Sequence, residues 1–224
     1  MVSKTLSITQ ALIFDMDGLM FDTERLGIDA YSRAGAEFGY EITSDFILQC
    51  IGRSARDTEQ LFRNHFGADF PYPAVRQRRL EIAEQWIRSH GVPQKDGLPE
   101  LMDTLDALRL PRAVATSTER VRAEPLLKAA QIFHRFDATV CGDEVASGKP
   151  APDIFLLAAK KLGYPPAQCL VLEDSGPGIQ AAHSAGIPAI LIPDIKIPPP
   201  EISRLAFAVA ASLREVPDFL GERS

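Results

Sequence analysis

This sequence has few cysteines, no long apolar run and no excess of basic residues. The three cysteines among 224 residues are Cys50, Cys141 and Cys169; their odd number and wide spacing exclude a disulfide scaffold, a metal knuckle and a redox pair. No apolar run reaches the roughly 18 residues that span a bilayer, and the apolar stretch 11–14 is too short for a signal peptide. These absences predict a cytoplasmic protein with reduced cysteines that does not bind membranes.

The charge balance is mildly acidic, since 24 Lys and Arg residues stand against 30 Asp and Glu residues, for a net charge of −6. This balance excludes the basic surface that binds nucleic acid or an anionic membrane. Apolar residues make up 46% and charged residues 24%, which is typical of a globular chain that folds without metal or disulfide staples. We expect a globular monomer that binds no nucleic acid.

Six short apolar runs recur along the sequence, each bounded by polar or turn residues. They are residues 11–14, 113–115, 138–141, 169–172, 189–192 and 207–210. Runs this short and uninterrupted are typical of strands buried on both faces. Helical patterns lie between the later runs, at 154–162, at 178–185 and around Leu126, where Pro125 is tolerable only in the first helical turn. The alternation predicts an α/β fold with a doubly wound parallel sheet and right-handed crossovers.

Residues 25–95 break this alternation, because no strand pattern is visible there. Two apolar stripes at helical spacing occur instead: Leu26, Ala30, Ala34 and Phe38 in the first, and Ile82, Trp86 and Ile87 in the second. Glycines and prolines punctuate the segment between them. We interpret the segment as a helical insert placed after the first strand.

Two carboxylates follow the first predicted strand. Asp15 and Asp17 point the same way if the backbone stays extended, and Gly18 permits a sharp turn directly after them. Like charges this close need a compensating cation. A solvated turn that caps a helix explains this segment as well as a site does, whereas a calcium loop fits poorly because the glycine falls in the wrong place.

Polar residues also follow two other predicted strands, and a lysine precedes a predicted helix. Thr116, Ser117 and Thr118 follow the second run, Lys149 precedes a helix, and Glu173 with Asp174 follow the fourth run. Each has an ordinary alternative as a helix cap or a surface charge. Ligands bind beyond the carboxyl ends of strands in open α/β sheets. A separate structural role at each of these four places is a less economical explanation than one shared site that binds phosphate and magnesium.

Four segments carry a resemblance to a known family. They are FDMDGLMFDTE at 14–24, TST at 116–118, SGKPAPDIF at 147–155 and LEDSGPG at 172–178. In this order they resemble the motifs of the haloacid dehalogenase-like phosphohydrolase superfamily, and the helical insert is similar to the small cap of its β-phosphoglucomutase-like and pseudouridine-5′-phosphatase-like branch. The resemblance implies a Rossmann-like core of residues 1–24 and 96–224, with an inserted all-helical cap of residues 25–95.

The resemblance implies a role for each residue of these motifs. Asp15 would attack phosphorus, and Asp17 would protonate the leaving oxygen and then take a proton from the attacking water. Lys149 would offset the charge on Asp15 and, with Thr116 and Ser117, hold the phosphoryl group. Magnesium would be the cofactor, and its ligands would be Asp15, Asp17 through its backbone carbonyl, Glu173 directly or through water, and Asp174. The partner would be a small phosphorylated metabolite.

Two positions in the insert depart from the mutases that this branch contains. Those mutases carry a histidine shortly after the first motif, where this sequence has Gly27, and an arginine after a Gly-x-Ser, where it has Ala55. Both departures favour hydrolysis over relocation of phosphate within the substrate. The candidates for contact with the non-phosphate end of the substrate are Gly52, Arg53 and Arg56. A helix-capping turn at Ser54 explains that segment equally well.

Three functions from different classes fit the sequence. The first is a magnesium-dependent phosphatase that hydrolyses a sugar phosphate or a nucleoside monophosphate through an aspartyl phosphate. The second is a hexose-phosphate mutase, and the third is a non-catalytic module that accepts phosphate or binds metal. Asp17 favours an enzyme, because a phosphate-accepting switch needs no acid for a leaving group. The sequence therefore predicts a phosphoric monoester hydrolase.

Overall fold

The computed structural model describes residues 9–51 and 55–221. Contacts divide the chain into two compact units, one formed by the residues up to Phe21 and from Gln94 onwards, and the other by Asp22–Pro93. The strands belong to the first unit, and the described residues of the second unit form helices. That the second unit serves as a cap stays a prediction.

Six strands form one parallel sheet. They are β1 (Ala11–Phe14), β2 (Arg112–Ala115), β3 (Ala138–Val140), β4 (Cys169–Glu173), β5 (Ala189–Leu191) and β6 (Ala208–Val209). The strand order is β3-β2-β1-β4-β5-β6, and every neighbouring pair is parallel. The four central strands are buried on both faces, as their uninterrupted apolar runs predicted. The predicted fold class is confirmed.

The order of the strands reverses beside β1. The chain adds β2 and β3 on one side of β1 and then returns to add β4, β5 and β6 on the other side. Phe14 at the end of β1 is level with Val114 of β2 and with Leu172 of β4, so these three strands end side by side. Ligands bind beyond the carboxyl ends of strands at such a reversal. The residues that follow β1, β2 and β4 are therefore held at the edge of the sheet where ligands bind.

The second unit packs around a core of aromatic rings. Its helices are α1 (Thr23–Glu37), α2 (Ser44–Leu48), α3 (Ala55–Phe66) and α4 (Tyr72–His90). Helix α1 packs against α4, and the buried rings of Phe46, Phe62 and Phe70 meet between the helices. Aromatic pairs of this kind contribute about 0.5–1.5 kcal/mol beyond the area that they bury. This unit thus has a hydrophobic core of its own.

The helices of the first unit lie between its strands in the sequence. They are α5 (Leu98–Ala107), α6 (Arg120–Ala129), α7 (Asp153–Leu162), α8 (Gly176–Ser184) and α9 (Pro200–Ser203). Short 3₁₀ helices occupy Phe133–Arg135, Gly142–Glu144, Pro166–Gln168 and Leu213–Phe219. Buried residues of α7 and α8 join those of β1, β2 and β4 in one core. This packing holds the strand ends in fixed register.

Two details of the predicted helices are wrong. Pro125 lies inside α6 rather than in its first turn, because the helix begins at Arg120. The carbonyl four residues before Pro125 belongs to Val121, which is 75% exposed, so water can replace the missing amide donor there. Phe38 is 41% exposed, because α1 ends at Glu37 and Phe38 follows as its C-cap.

The cysteines are free, as the sequence predicts. Cys50, Cys141 and Cys169 are all free cysteines, and the last two are buried. Burial raises the pKa of both buried thiols to about 11, which keeps them protonated.

Among the described residues, none of the helices combines the length and the apolar character that crossing a bilayer requires.

Candidate active site

The loop after β1 places the first two carboxylates. The backbone N–H of Asp15 donates to the carbonyl of Leu172 in β4 at 3.0 Å, so Asp15 lies at the reversal between these strands. The Asp15 side chain is buried, and Asp17 is half-buried. Gly18 adopts a left-handed φ of +86°, and its N–H donates to the carbonyl of Phe21. The tight turn leaves both carboxylates at the edge of the sheet.

The end of β4 supplies two more carboxylates. Glu173 is the last residue of β4 and is fully buried, and Asp174 directly follows it. The Oε2 atom of Glu173 accepts a hydrogen bond of 2.7 Å from the backbone N–H of Ser175, whose hydroxyl in turn caps α8. A Cβ at Gly178 would overlap the Glu173 carboxylate, so the first turn of α8 can lie over Glu173 only because residue 178 is glycine.

Lys149 joins the carboxylates of the two strands. Its Nζ atom donates to Oδ1 of Asp15 and to Oε1 of Glu173, the latter at 2.8 Å. The side chain is only 6% exposed and lies with Nζ 4.9 Å from the ring centroid of Phe155. A buried ammonium is tolerated only when it is paired, and both pairings here are charge-assisted hydrogen bonds. Lys149 therefore compensates charge from β1 and β4 at the same time.

Burial and charge act against each other around Asp15. Burial raises the pKa of Asp15 to about 8, although Lys149 lowers it, and the charge of Glu173 raises it further. Burial by itself lowers the pKa of Lys149, but the carboxylates of Asp15 and Glu173 hold that pKa above its ordinary value. Lys149 therefore stays positively charged, and a further cation would help Asp15 to stay ionised.

Three of these carboxylates can share a cation. One oxygen each from Asp15, Glu173 and Asp174, all buried, lies within 4.8 Å of the others; we call these three residues the acidic cluster. When all three carboxyl groups are ionised, the group with Lys149 carries three negative charges and one positive charge. Magnesium prefers oxygen ligands and keeps several waters, so this donor set fits Mg²⁺. That Asp17 adds its backbone carbonyl stays a prediction.

The loop after β2 reaches the same edge. The N–H of Thr116 donates to the carbonyl of Val140 in β3, and the buried Thr116 hydroxyl accepts from the N–H of Thr118 at 3.1 Å. Ser117 is exposed. The Thr118 hydroxyl donates to Oδ2 of Asp17 at 2.8 Å and so joins this loop to the first one. Thr118 belongs to the hydroxyl-rich run 116–118, in which the family resemblance implies a role only for Thr116 and Ser117.

The candidate substrate residues of the insert lie in the second unit. Gly52 and Arg53 fall outside the described residues, and Arg56 is exposed near the start of α3. Gly27 is buried in α1, and a Cβ there would overlap the guanidinium of Arg79 from α4. The space beside Gly27 is therefore filled by the Arg79 side chain. Contact of Gly52, Arg53 and Arg56 with substrate stays a prediction.

Gly18→Ala should reduce turnover by about 100-fold, because small displacements of reacting groups have effects of that order. A Cβ at residue 18 would overlap the carboxylate of Asp174, and the positive φ adds about 1–2 kcal/mol of backbone strain. Gly163→Ala is a matched control, since Gly163 has a φ of +81° but nothing within 4 Å of its added Cβ. Steady-state kinetics and thermal melting of both variants test this; equal losses of turnover would contradict it.

Comparison with known proteins finds phosphatases among the relatives of this chain. A protein named "Probable pseudouridine-5′-phosphatase" from Drosophila melanogaster is 34% identical over 96% of this chain and 94% of its own length. The fructose-1-phosphate phosphatase of Escherichia coli is 36% identical over 80% of this chain and 94% of its own length. A mutant of the protein CbbY from Rhodobacter sphaeroides, solved in complex with xylulose-(1,5)bisphosphate, has a TM-score of 0.77 at 25% identity and covers 95% of this chain and 100% of its own.

The family itself is shown by a match over most of the chain. The family described as haloacid dehalogenase-like hydrolase matches residues 12–192, which include the four segments after β1, β2 and β4 and around Lys149. With the phosphatases among its relatives, this match confirms the predicted enzyme class, a phosphoric monoester hydrolase. The chain belongs to the haloacid dehalogenase-like hydrolases.

Proposed function

We propose that this protein is a Mg²⁺-dependent phosphatase that hydrolyses small phosphomonoesters through a phosphorylated Asp15. The observation that carries the proposal lies at the carboxyl edge of the sheet. There the buried Lys149 side chain contacts Asp15 and Glu173, and Asp174 lies beside these two carboxylates. A buried carboxylate beside a fixed ammonium is a suitable nucleophile for a phosphoryl group, which brings negative charge of its own.

In the first half of the reaction, a carboxylate oxygen of Asp15 attacks phosphorus. The bond from phosphorus to the ester oxygen breaks, and that oxygen takes a proton from the carboxyl group of Asp17. Lys149 and the hydroxyl of Thr116 hold the phosphoryl oxygens while charge shifts among them. The products are the free alcohol, an aspartyl phosphate on Asp15 and an ionised Asp17.

In the second half, Asp17 takes a proton from a water molecule. The water oxygen attacks phosphorus, the acyl phosphate bond to Asp15 breaks, and inorganic phosphate leaves. Asp15 is again a carboxylate and Asp17 again carries a proton, so one water is consumed for each ester. The same residue thus acts first as an acid and then as a base.

Asp15, Asp174 and the backbone carbonyl of Asp17 would hold the Mg²⁺, with Glu173 directly or through water. When bound, Mg²⁺ stabilises negative charge on the phosphoryl oxygens and keeps Asp15 ionised. Phosphate monoester hydrolysis needs an acceleration of up to about 10²¹-fold, whereas one acid or base contributes about 10²–10⁴-fold. The residues around the phosphoryl group must therefore act together.

The substrate is proposed to be a sugar phosphate or a nucleoside monophosphate. Relatives that align over most of this chain are named for pseudouridine-5′-phosphatase and fructose-1-phosphate phosphatase activities, which supports small phosphorylated metabolites. Hydrolysis is favoured over a hexose-phosphate mutase because Gly27 stands where the mutases of this branch carry a histidine, and Arg79 fills the space beside it. Release of inorganic phosphate from a panel of metabolite phosphates with Mg²⁺ tests the proposal. Isomerised product without phosphate release would favour the mutase.

Removal of divalent cations should abolish turnover, and added Mg²⁺ should restore it. Saturating Mg²⁺ should also raise the thermal midpoint, since a ligand at 100 times its dissociation constant stabilises the folded state by about 2.7 kcal/mol. Ca²⁺ should restore less activity, because it takes more ligands at longer distances. Activity and melting curves after chelation measure both effects. Full turnover in a chelator, with an unchanged midpoint on adding Mg²⁺, would contradict the metal assignment.

A further inference from the structure

The hydrogen bond between Thr118 and Asp17 links two loops that lie far apart in the sequence. The Thr118 hydroxyl donates to Oδ2 of Asp17 at 2.8 Å, across a separation of 101 residues. Both residues are half-buried. A hydroxyl that donates to a carboxylate forms one of the stronger classes of hydrogen bond. The side chain of Asp17 is thus held by a group outside its own loop.

Thr118 itself is fixed from two sides through its backbone. Its N–H donates to the Thr116 hydroxyl at 3.1 Å, and its carbonyl accepts from the N–H of Gly142 at 3.1 Å. A Cβ at Gly142 would overlap the carbonyl of Ser117, so the loops after β2 and β3 lie in direct contact there. The hydroxyl that reaches Asp17 therefore projects from a well-anchored backbone.

We propose that Thr118 is a positioning residue that holds the carboxyl group of Asp17 in the orientation used in both halves of the reaction; this rests on the proposed function. A hydroxyl can donate to a carboxylate and equally to the carbonyl oxygen of a carboxylic acid, whose own proton then stays free for the leaving oxygen, so the contact suits both forms that Asp17 takes. The contact favours one staggered rotamer of the short Asp17 side chain over the others, so more molecules hold the acid where the leaving oxygen lies.

Direct binding of substrate by the Thr118 hydroxyl is a competing role. A threonine hydroxyl has one proton, and here that proton is donated to Asp17. While it is so engaged, the hydroxyl cannot donate to a phosphoryl oxygen of the substrate. Loss of the hydroxyl should therefore lower kcat without raising KM.

The test compares Thr118→Val, which keeps the shape and removes the hydroxyl, with Thr118→Ser, which keeps the hydroxyl. The probe is p-nitrophenyl phosphate with Mg²⁺, because nitrophenolate departs without a proton and the first step then tolerates a misplaced Asp17. Thr118→Val should show a burst of about one equivalent of nitrophenolate, followed by turnover about 10- to 100-fold slower than wild type. Thr118→Ser should stay within about threefold of wild type, and Thr139→Val in β3 is the matched control.

Three results would overturn the assignment of Thr118. Equal slowing of the burst and of the steady rate would indicate a general structural defect. A raised KM with unchanged kcat would indicate that Thr118 binds substrate, and a Thr118→Ser variant as slow as Thr118→Val would show that the hydroxyl is not what matters. Absence of turnover by the wild-type enzyme, by contrast, would overturn the proposed function itself.

Discussion

Asp15→Asn should lose turnover by about 10⁴-fold or more, the scale expected when a nucleophile is removed. The amide has nearly the volume of the carboxylate, but it can neither form the acyl phosphate nor serve as an anionic ligand to Mg²⁺. Lys149 keeps Glu173 as a partner, so the buried ammonium stays paired. We therefore expect a folded protein whose thermal midpoint is close to that of wild type. Phosphate release and thermal melting measure the two effects.

The control for this variant is Asp218→Asn, which removes an exposed carboxylate from the same unit. Its turnover should equal that of wild type, since nothing at the sheet edge changes. An Asp15→Asn variant that turns over at the wild-type rate would contradict the assignment of the nucleophile. A variant that fails to fold would instead show that Asp15 is required for stability, and Asp15→Glu, which keeps the charge but moves it outward, would then separate the two roles.

Lys149→Met should lower both stability and turnover. The substitution keeps the length of the side chain and leaves Asp15 and Glu173 buried without their shared cation. Breaking a buried ion pair by removing one partner costs about 3–5 kcal/mol. At about 2–4 °C per kcal/mol for a chain of this size, the thermal midpoint should fall by about 6–20 °C. Turnover should fall by about 10²–10³-fold, as when one donor to a developing charge is lost.

Mg²⁺ should offset part of the stability loss in Lys149→Met, because it adds positive charge beside the same carboxylates. The midpoint of the variant should therefore rise more on adding Mg²⁺ than the midpoint of wild type does. Lys128→Met is the control: Lys128 is 59% exposed and pairs with Glu124 at 3.2 Å, a surface pair worth about 0–1 kcal/mol. A Lys149→Met midpoint no lower than that of Lys128→Met would contradict the central position of Lys149.

The sheet and the edge that carries the site could be predicted because both depend on local patterns. An apolar run such as 169–172 predicts a buried strand, and the polar residues directly after it must lie at the carboxyl end of that strand. The parallel order of the strands then gathers Asp15 and Glu173, although their positions differ by more than 150 residues in the sequence. No detailed side-chain geometry is needed for that inference.

Contacts that depend on rotamers and loop geometry could not be predicted. The family resemblance implied that Lys149 offsets the charge of Asp15, but its second bond to Glu173 follows from where the loop before α7 places the Lys149 side chain. The Thr118–Asp17 bond likewise depends on the anchoring of Thr118 by Gly142 from another loop. Pro125 inside α6 was missed because solvent exposure of Val121, which makes it tolerable, is a property of the fold.

The most direct measurement is the capture of the phosphorylated residue during turnover. Enzyme mixed with substrate and Mg²⁺ is quenched in acid, reduced with borohydride and digested, and the reduced aspartyl position is located by mass spectrometry. We predict a single reduced site at Asp15, absent from enzyme without substrate and from Asp15→Asn. Rapid turnover with reduction at another carboxylate, or with no reduced residue while phosphate is released in the same sample, would contradict the account.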